Sequence, residues 1–198
     1  MAQAHSGEQH ARRIALQDPL TGLPNRAFFI VRLAEALMRS SKAGKVSVFY
    51  LDLDRFKAIN DLHGHGTGDA ALRIVAARLT AAVRADDLVC RIGGDEFVCL
   101  LLGVPDDELL SHIACKLLDG VAAPLQIGSL RLETQPSIGI ASWPEDGTTP
   151  DGLVANADAA MFHAKRRGCG YAFYKAGLEP YEPLATEMEQ CSKAGTLI

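Results

Sequence analysis

A chain of 198 residues is long enough for one well-cored domain of about 150 residues with tails, and too short for two large ones. Hydrophobic residues make up 48%, which excludes a disordered chain. Twenty basic against 24 acidic residues give a net charge of −4, a poor match for a broad nucleic-acid or membrane-surface binder, though not for one small anionic ligand.

No run approaches the roughly 18 apolar residues that span a bilayer. Met1 to His10 is polar and has no apolar signal-peptide core. Five cysteines stand at 90, 99, 115, 169 and 191, an odd number with no CxxC pair. The expectation is reduced thiols packed as small hydrophobes in the cytoplasm, with no zinc site.

In chain order, residues 1–17 read as a helical lead-in or linker, and Asp18 to Asn25 as a turn-rich stretch. Arg26 to Ser40 reads as a helix with Phe29, Leu33 and Leu37 on one face. Lys45 to Leu53 is a nearly continuous apolar run, the signature of a buried central strand, with Asp52 and Asp54 at its end. Asp69 to Val83 has helical spacing. Leu88–Ile92 and Phe97–Leu102 flank Gly93-Gly94 as a hairpin. Pro105-Asp106 opens a helix carrying Leu109, Leu110, Ile113, Leu117 and Val121, and Leu130 to Ser142 is a strand region. Asp151 to Arg167 is a helix and Tyr171 to Tyr174 a short strand. Residues 18–175 thus form the domain, and 176–198 a weakly patterned tail or linker. The core order βαββαβ predicts an α+β, ferredoxin-like split unit: an antiparallel central sheet with helices on one face, plus an extra C-terminal helix and strand.

The chemistry begins with the acids. Asp52 ends a buried strand and Asp95 follows the glycine turn, so adjacent strands would bring them together. Such a pair repels unless a cation lies between, and oxygen ligands favour Mg²⁺ or Mn²⁺; the alternative is a hairpin turn with solvated acids. In the segment Asp54 to Asp61, Phe56 and Ile59 pack inward while Lys57 and Asn60 face the cleft. Lys57 offers a point charge to a phosphate, and Asn60 both donates and accepts at a base edge. Asp69 reads equally as a helix N-cap. His63 and His65 fit turn or packing roles better than metal ligation, and the glycines around them lack the GKS or GKT of a P-loop.

Together these motifs resemble one family. Arg91-Ile92-Gly93-Gly94-Asp95-Glu96-Phe97 carries the GGDEF signature of the diguanylate cyclase domain. Asp18-Pro19-Leu20-Thr21-Gly22-Leu23-Pro24-Asn25-Arg26 precedes it, with Leu51-Asp52-Leu53-Asp54-Arg55-Phe56-Lys57-Ala58-Ile59-Asn60-Asp61 and Gly64-His65-Gly66-Thr67-Gly68-Asp69. Ser137 to Ala141 and Ala164-Lys165 follow in the family's order. The resemblance implies a nucleotide-cyclase, polymerase-palm-like fold and the condensation of two GTP into cyclic di-GMP with release of two pyrophosphates.

It also implies roles. Asp52, Asp95 and the main-chain carbonyl of Leu53 would ligate Mg²⁺ (or Mn²⁺), and Asp95 would help deprotonate the attacking 3′-hydroxyl. Glu96 would support the same acidic centre. Lys57 and Lys165 would serve the phosphates, and Asn60 and Asp69 the guanine. Phe56 belongs to the same GTP site, where Gly93 and Gly94 let the backbone approach the nucleotide. Arg84 and Asp87 match the family's RxxD motif, a product-binding, inhibitory site. Two domains facing each other as a two-fold homodimer would be needed, with sensor or EAL domains in a longer protein. One position departs: Cys169 stands where the family has an arginine. That departure leaves a second reading, a catalytically weak GTP-binding module that controls a neighbouring domain.

Overall fold

The computed structural model describes residues 16–39 and 45–175. The lead-in expected over 1–17 and the tail over 176–198, with Cys191, therefore lie almost wholly outside the described residues. The elements are α1 (Arg26–Arg39), β1 (Val46–Leu53), α2 (Phe56–His63), α3 (His65–Ala82), β2 (Leu88–Gly93) and β3 (Glu96–Leu102). Then follow α4 (Asp107–Ala122), β4 (Leu125–Ile127), β5 (Leu130–Leu132), β6 (Pro136–Trp143), α5 (Pro150–Arg167) and β7 (Tyr171–Phe173).

Five strands form one sheet in the order β2-β3-β1-β6-β7, and β4 pairs with β5 in a separate hairpin. β1 is antiparallel to β3 and β6, while β7 adds parallel to β6. This is the expected α+β arrangement, with one parallel edge.

The alternation of β1 explains its apolar run. Phe49, Leu51 and Leu53 point to one face, where Leu72, Val75 and Leu79 of α3 and Leu110 and Leu117 of α4 cover them. Val46, Val48 and Tyr50 point to the other, where Phe29 and Leu33 of α1 and Leu153, Ala157 and Met161 of α5 pack. The expectation of helices on one face is thus corrected. The two helices of the split unit take one face, and α1 with α5 closes the other. A strand buried on both sides has no polar face to show.

Three further boundaries differ. The segment after Asp54 is a helix of its own, α2, and Gly64 at φ 79° separates it from α3. α3 begins at His65, a turn earlier than expected, so Asp69 is inside the helix and is not its N-cap. The Leu130–Ser142 region divides into β5 and β6. Of the cysteines, Cys90 and Cys99 are buried thiols on opposite faces of the sheet, whereas Cys115 and Cys169 are exposed, against the expectation that they pack as hydrophobes.

α5 is capped at both ends. The Thr149 hydroxyl accepts from Gly152 N at 3.1 Å, and Gly168 at φ 61° ends the helix in a Schellman arrangement. Its approach to the sheet is closer than side chains would allow. A Cβ on Gly139 of β6 would run into the carbonyl oxygen of Ala157 and the amide nitrogen of Met161. Gly139→Ala therefore has no flexible neighbour to displace. It is expected to destabilise the domain by about 3 kcal/mol or more, read as a lowered urea midpoint. A midpoint within error of the wild type would show that α5 does not rest on the β6 backbone.

Candidate active site

The strand alternation that sends Val48 and Tyr50 toward α5 sends Asp52 the same way. Across the sheet Asp52 faces Glu96 on β3 and Ser137 on β6. Asp95 sits in the tight turn between β2 and β3, and its carbonyl accepts from Leu53 N at 3.3 Å, which fixes the turn against the end of β1. Burial raises the pKa of Asp95, and the charge of Asp52 raises it further.

Lys165 is the cation of this cluster. It projects from the last turns of α5, and its Nζ donates to Asp52 Oδ1 at 2.5 Å while lying 3.9 Å from Asp54 Oδ1. Burial works against its charge, but the hydrogen bond and charge of Asp52, with Asp54 and Asp95, hold its pKa above the ordinary value. Asp54 is itself anchored to β6: its carboxylate accepts from Ser137 Oγ at 3.1 and 3.3 Å, and its N donates to Gln135 O at 2.8 Å. Burial nonetheless raises its pKa. The Tyr50 hydroxyl donates to Glu96 Oε1 at 3.0 Å, and burial with the neighbouring Glu96 pushes the phenol pKa far up. Asp158 of α5 joins the same field, its pKa raised by burial and then by Glu96 and Asp52.

The candidate donors at the end of β1 are all oxygen: the Asp52 and Asp95 carboxylates, with the main-chain carbonyl of Leu53 next in sequence to Asp52. Among the described residues no group of three or more His, Cys, Asp or Glu side chains is arranged around a cation, and the histidines at 63 and 65 form no such group. A Mg²⁺ that completes its shell with substrate phosphates needs only one or two carboxylates. Asp52 and Asp95, whose repulsion a divalent charge would relieve, fit that ion.

The other expected residues divide into two places. Asn60 on α2 and Asp69 on α3 are half-buried, and no hydrogen bond within the protein engages either side chain among the described residues. Phe56 is buried beneath Asn60. Lys57 is exposed and forms no ion pair with the acids; Lys165 holds that place. A cavity of about 530 Å³ lies against Asp54, Ala58, Leu62 and Thr134, and neither Asn60 nor Asp69 lines it. Gly93 and Gly94 lie at the hairpin tip, and a Cβ on Gly93 would come within 3.0 Å of Glu96 Oε2.

Arg84 and Asp87 form a turn of their own. Asp87 Oδ2 accepts from Arg84 N at 3.1 Å, and Oδ1 from Leu102 N at 3.3 Å. Both oxygens of Asp87 are thus committed to the main chain, and the exposed guanidinium of Arg84 is the free group of the pair.

A clamp that sequence reasoning missed holds the hairpin tip. The Arg91 guanidinium donates to Gly94 O at 3.0 Å (Nε) and 2.6 Å (Nη2), and to Asp18 Oδ1 at 2.9 Å (Nη1). Asp18 also accepts from Thr21 N at 2.9 Å and Thr21 Oγ1 at 2.6 Å. Burial pushes the Asp18 carboxyl up, but its bonds to Thr21 and Arg91 outweigh this and hold its pKa below the usual range.

The split α+β sheet, with acids at one strand end and a glycine-turn hairpin beside them, has the palm-like fold of nucleotide cyclases. Residues 15–170 match the family model described as "Diguanylate cyclase, GGDEF domain", and the chain belongs to that family. It is 43% identical over 168 residues to the bifunctional diguanylate cyclase/cyclic di-GMP phosphodiesterase MucR of Pseudomonas aeruginosa, covering 84% of this chain and 24% of that protein. The crystal structure of the GGDEF domain of TpbB (YfiN) from Pseudomonas aeruginosa superposes with a TM-score of 0.77 at 39% identity, covering 79% of this chain and 99% of that one. The coiled coil and GGDEF domain of DgcB from Caulobacter crescentus, solved in complex with c-di-GMP, gives 0.79 at 25% identity, covering 88% and 93%. The chain spans about a quarter of the length of MucR.

The clamp has a pH signature. A carboxylate whose folded pKa is depressed stabilises the protein above its unfolded pKa of about 3.9, and this is lost as pH falls through the lower folded value. Asp18→Asn is expected to cost about 1–2 kcal/mol at pH 7, given partial exposure. In urea denaturation that difference from wild type should shrink as pH falls below the unfolded value of about 3.9; a difference that stays constant as pH falls would contradict the charge assignment.

Proposed function

We propose that this chain is the catalytic half of a diguanylate cyclase, condensing two GTP into cyclic di-GMP and two pyrophosphates. The observation that carries this reading is the convergence of Asp52, Asp95 and Lys165 where β1 meets the β2–β3 turn. Asp52, Asp95 and the Leu53 carbonyl would hold Mg²⁺ (or Mn²⁺), which when bound supplies charge neutralisation at the phosphates. Lys165 and Lys57 add positive charge to the triphosphate. Asn60 and Asp69 read the guanine, and Phe56 supports them. Gly93 and Gly94 let the hairpin backbone lie against the nucleotide. Glu96, anchored by Tyr50, keeps the acidic centre in place.

The 3′-hydroxyl of one GTP attacks the α-phosphorus of the other. A P–O bond forms, the bond to pyrophosphate breaks, and the hydroxyl proton passes to the Asp95 carboxylate. Each domain binds one GTP, so closing the ring takes two reciprocal attacks across a two-fold homodimer. In a longer protein, sensor or EAL domains would govern that pairing. Such a chain would work in the cytoplasm, where GTP is available; no helix among the described residues is long and apolar enough to cross a membrane.

A second reading rests on Cys169, whose thiol donates to Tyr171 O at 3.3 Å in the place of the expected arginine. Arg166 and Arg167 are exposed in the last turn of α5. Under that reading the domain binds GTP and controls a neighbour with little turnover.

Incubation with GTP and Mg²⁺ across a protein dilution series separates the two. The cyclase reading expects cyclic di-GMP, with the rate per protomer falling as the protein is diluted. A folded dimer that binds GTP and makes no product at high concentration would exclude it. Product inhibition is assigned to the Arg84 guanidinium, with Asp87 shaping its turn. Arg84→Ala is expected to raise the cyclic di-GMP concentration that halves the rate by about tenfold, the loss of roughly one charged hydrogen bond; an unchanged value would remove that site.

A further inference from the structure

Two glycines stand in the first turn of α3 under very different constraints. Around Gly66 a Cβ would meet nothing within 4 Å. At Gly68, which is buried, it would run into Asn60 Oδ1, come within 2.9 Å of Asn60 Cγ and lie 3.1 Å from Phe56 Cζ. Gly68 has no positive φ, so backbone conformation does not require glycine there. An alanine would favour the helix. What the position needs is space, and the space is filled by the Asn60 amide.

The local fold makes this contact unavoidable. The chain turns sharply at Gly64, whose N donates to Asn60 O at 2.8 Å and whose carbonyl accepts from Thr67 N and Gly68 N at 3.1 and 3.3 Å. The Thr67 hydroxyl donates back to His63 O at 2.9 Å. These bonds fold the start of α3 onto the end of α2, so Gly68 lies over Asn60, with Asp69 next in sequence. Among the described residues the Asn60 amide makes no hydrogen bond, and its Oδ1 fills the space that a Gly68 Cβ would take.

We propose that Gly68 is a positioning residue for base selectivity: its missing side chain opens the slot that orients the Asn60 amide toward guanine. This rests on the reading that Asn60 and Asp69 recognise the base. Gly68 touches neither substrate nor metal and acts through Asn60.

The test measures GTP and ATP affinities of the purified chain with Mg²⁺, together with thermal melts, for Gly68→Ala and the matched Gly66→Ala. Gly68→Ala should weaken GTP binding about tenfold or more, with ATP binding unchanged, and lower the Tm. Gly66→Ala should bind GTP as the wild type does. The double variant Asn60→Ala/Gly68→Ala should recover Tm relative to Gly68→Ala without recovering GTP affinity. Should Gly68→Ala fail to fold, the double variant carries the test. A Gly68→Ala protein that binds GTP within about twofold of wild type would overturn the proposal. A double variant no more stable than Gly68→Ala alone would overturn it as well. A wild-type protein that binds GTP no better than ATP would instead overturn the guanine reading, and the proposal with it.

Discussion

The site depends on how closely α5 approaches β6. Gly139 has no Cβ, so the helix backbone at Ala157 and Met161 rests directly on the strand. Ala157, Ala160 and Ala164 keep that contact small along the helix, each fully buried. With α5 set at this depth, Lys165 reaches the carboxylate of Asp52 at the sheet edge. Asp158 and Lys165 are seven positions apart and so share a helix side. One docking constraint therefore delivers both an acid and a cation to the end of β1. A bulkier interface would lift both away from the strand, and Asp52 would lose the cation that offsets its neighbours.

That offset is needed because the cluster works against folding. Asp54, Asp95 and Asp158 all have raised pKa values, with burial as the first cause in each. Groups of this kind hold protons more tightly in the folded state, so their ionisation at neutral pH costs stability. Lys165 returns part of this through Asp52, and Ser137 through its bonds to Asp54. The remainder is strain of electrostatic origin, concentrated where a divalent cation and phosphates would meet.

Much of this was legible in the sequence, for identifiable reasons. The apolar run of β1, the acids at its end and the paired glycines of the hairpin are local signals, and the structure has them where expected. Residues whose meaning depends on a distant partner were not legible. Tyr50 reads as one more apolar residue of a strand, but its hydroxyl serves Glu96 across the sheet. Asp158 reads as a solvated helix position until α5 is docked. The helix break at Gly64 was hidden because glycines at 64, 66 and 68 make the whole stretch read as a loop. Asp87 had a visible motif but an invisible commitment: its oxygens are taken by Arg84 N and Leu102 N. That second bond joins residues fifteen apart in sequence and exists only once β2 and β3 have paired.

The Arg91 clamp shows what such distant bonds can do. The hairpin tip carrying Asp95 is glycine-rich, and left alone it would sample many conformations. Arg91 removes that freedom by binding Gly94 O through two nitrogens, while its third contact reaches Asp18 at the start of the domain. Arg91 N also donates to Pro24 O at 3.0 Å, so the whole Asp18–Asn25 turn is fastened to the strand that leads into the tip. The turn therefore meets the hairpin through both the guanidinium and the main chain of Arg91. A planar, forked donor suits that position because it spans a carboxylate and a carbonyl at once, which a lysine's point charge does not. Through these bonds one side chain ties the N-terminal turn to the tip that carries Asp95.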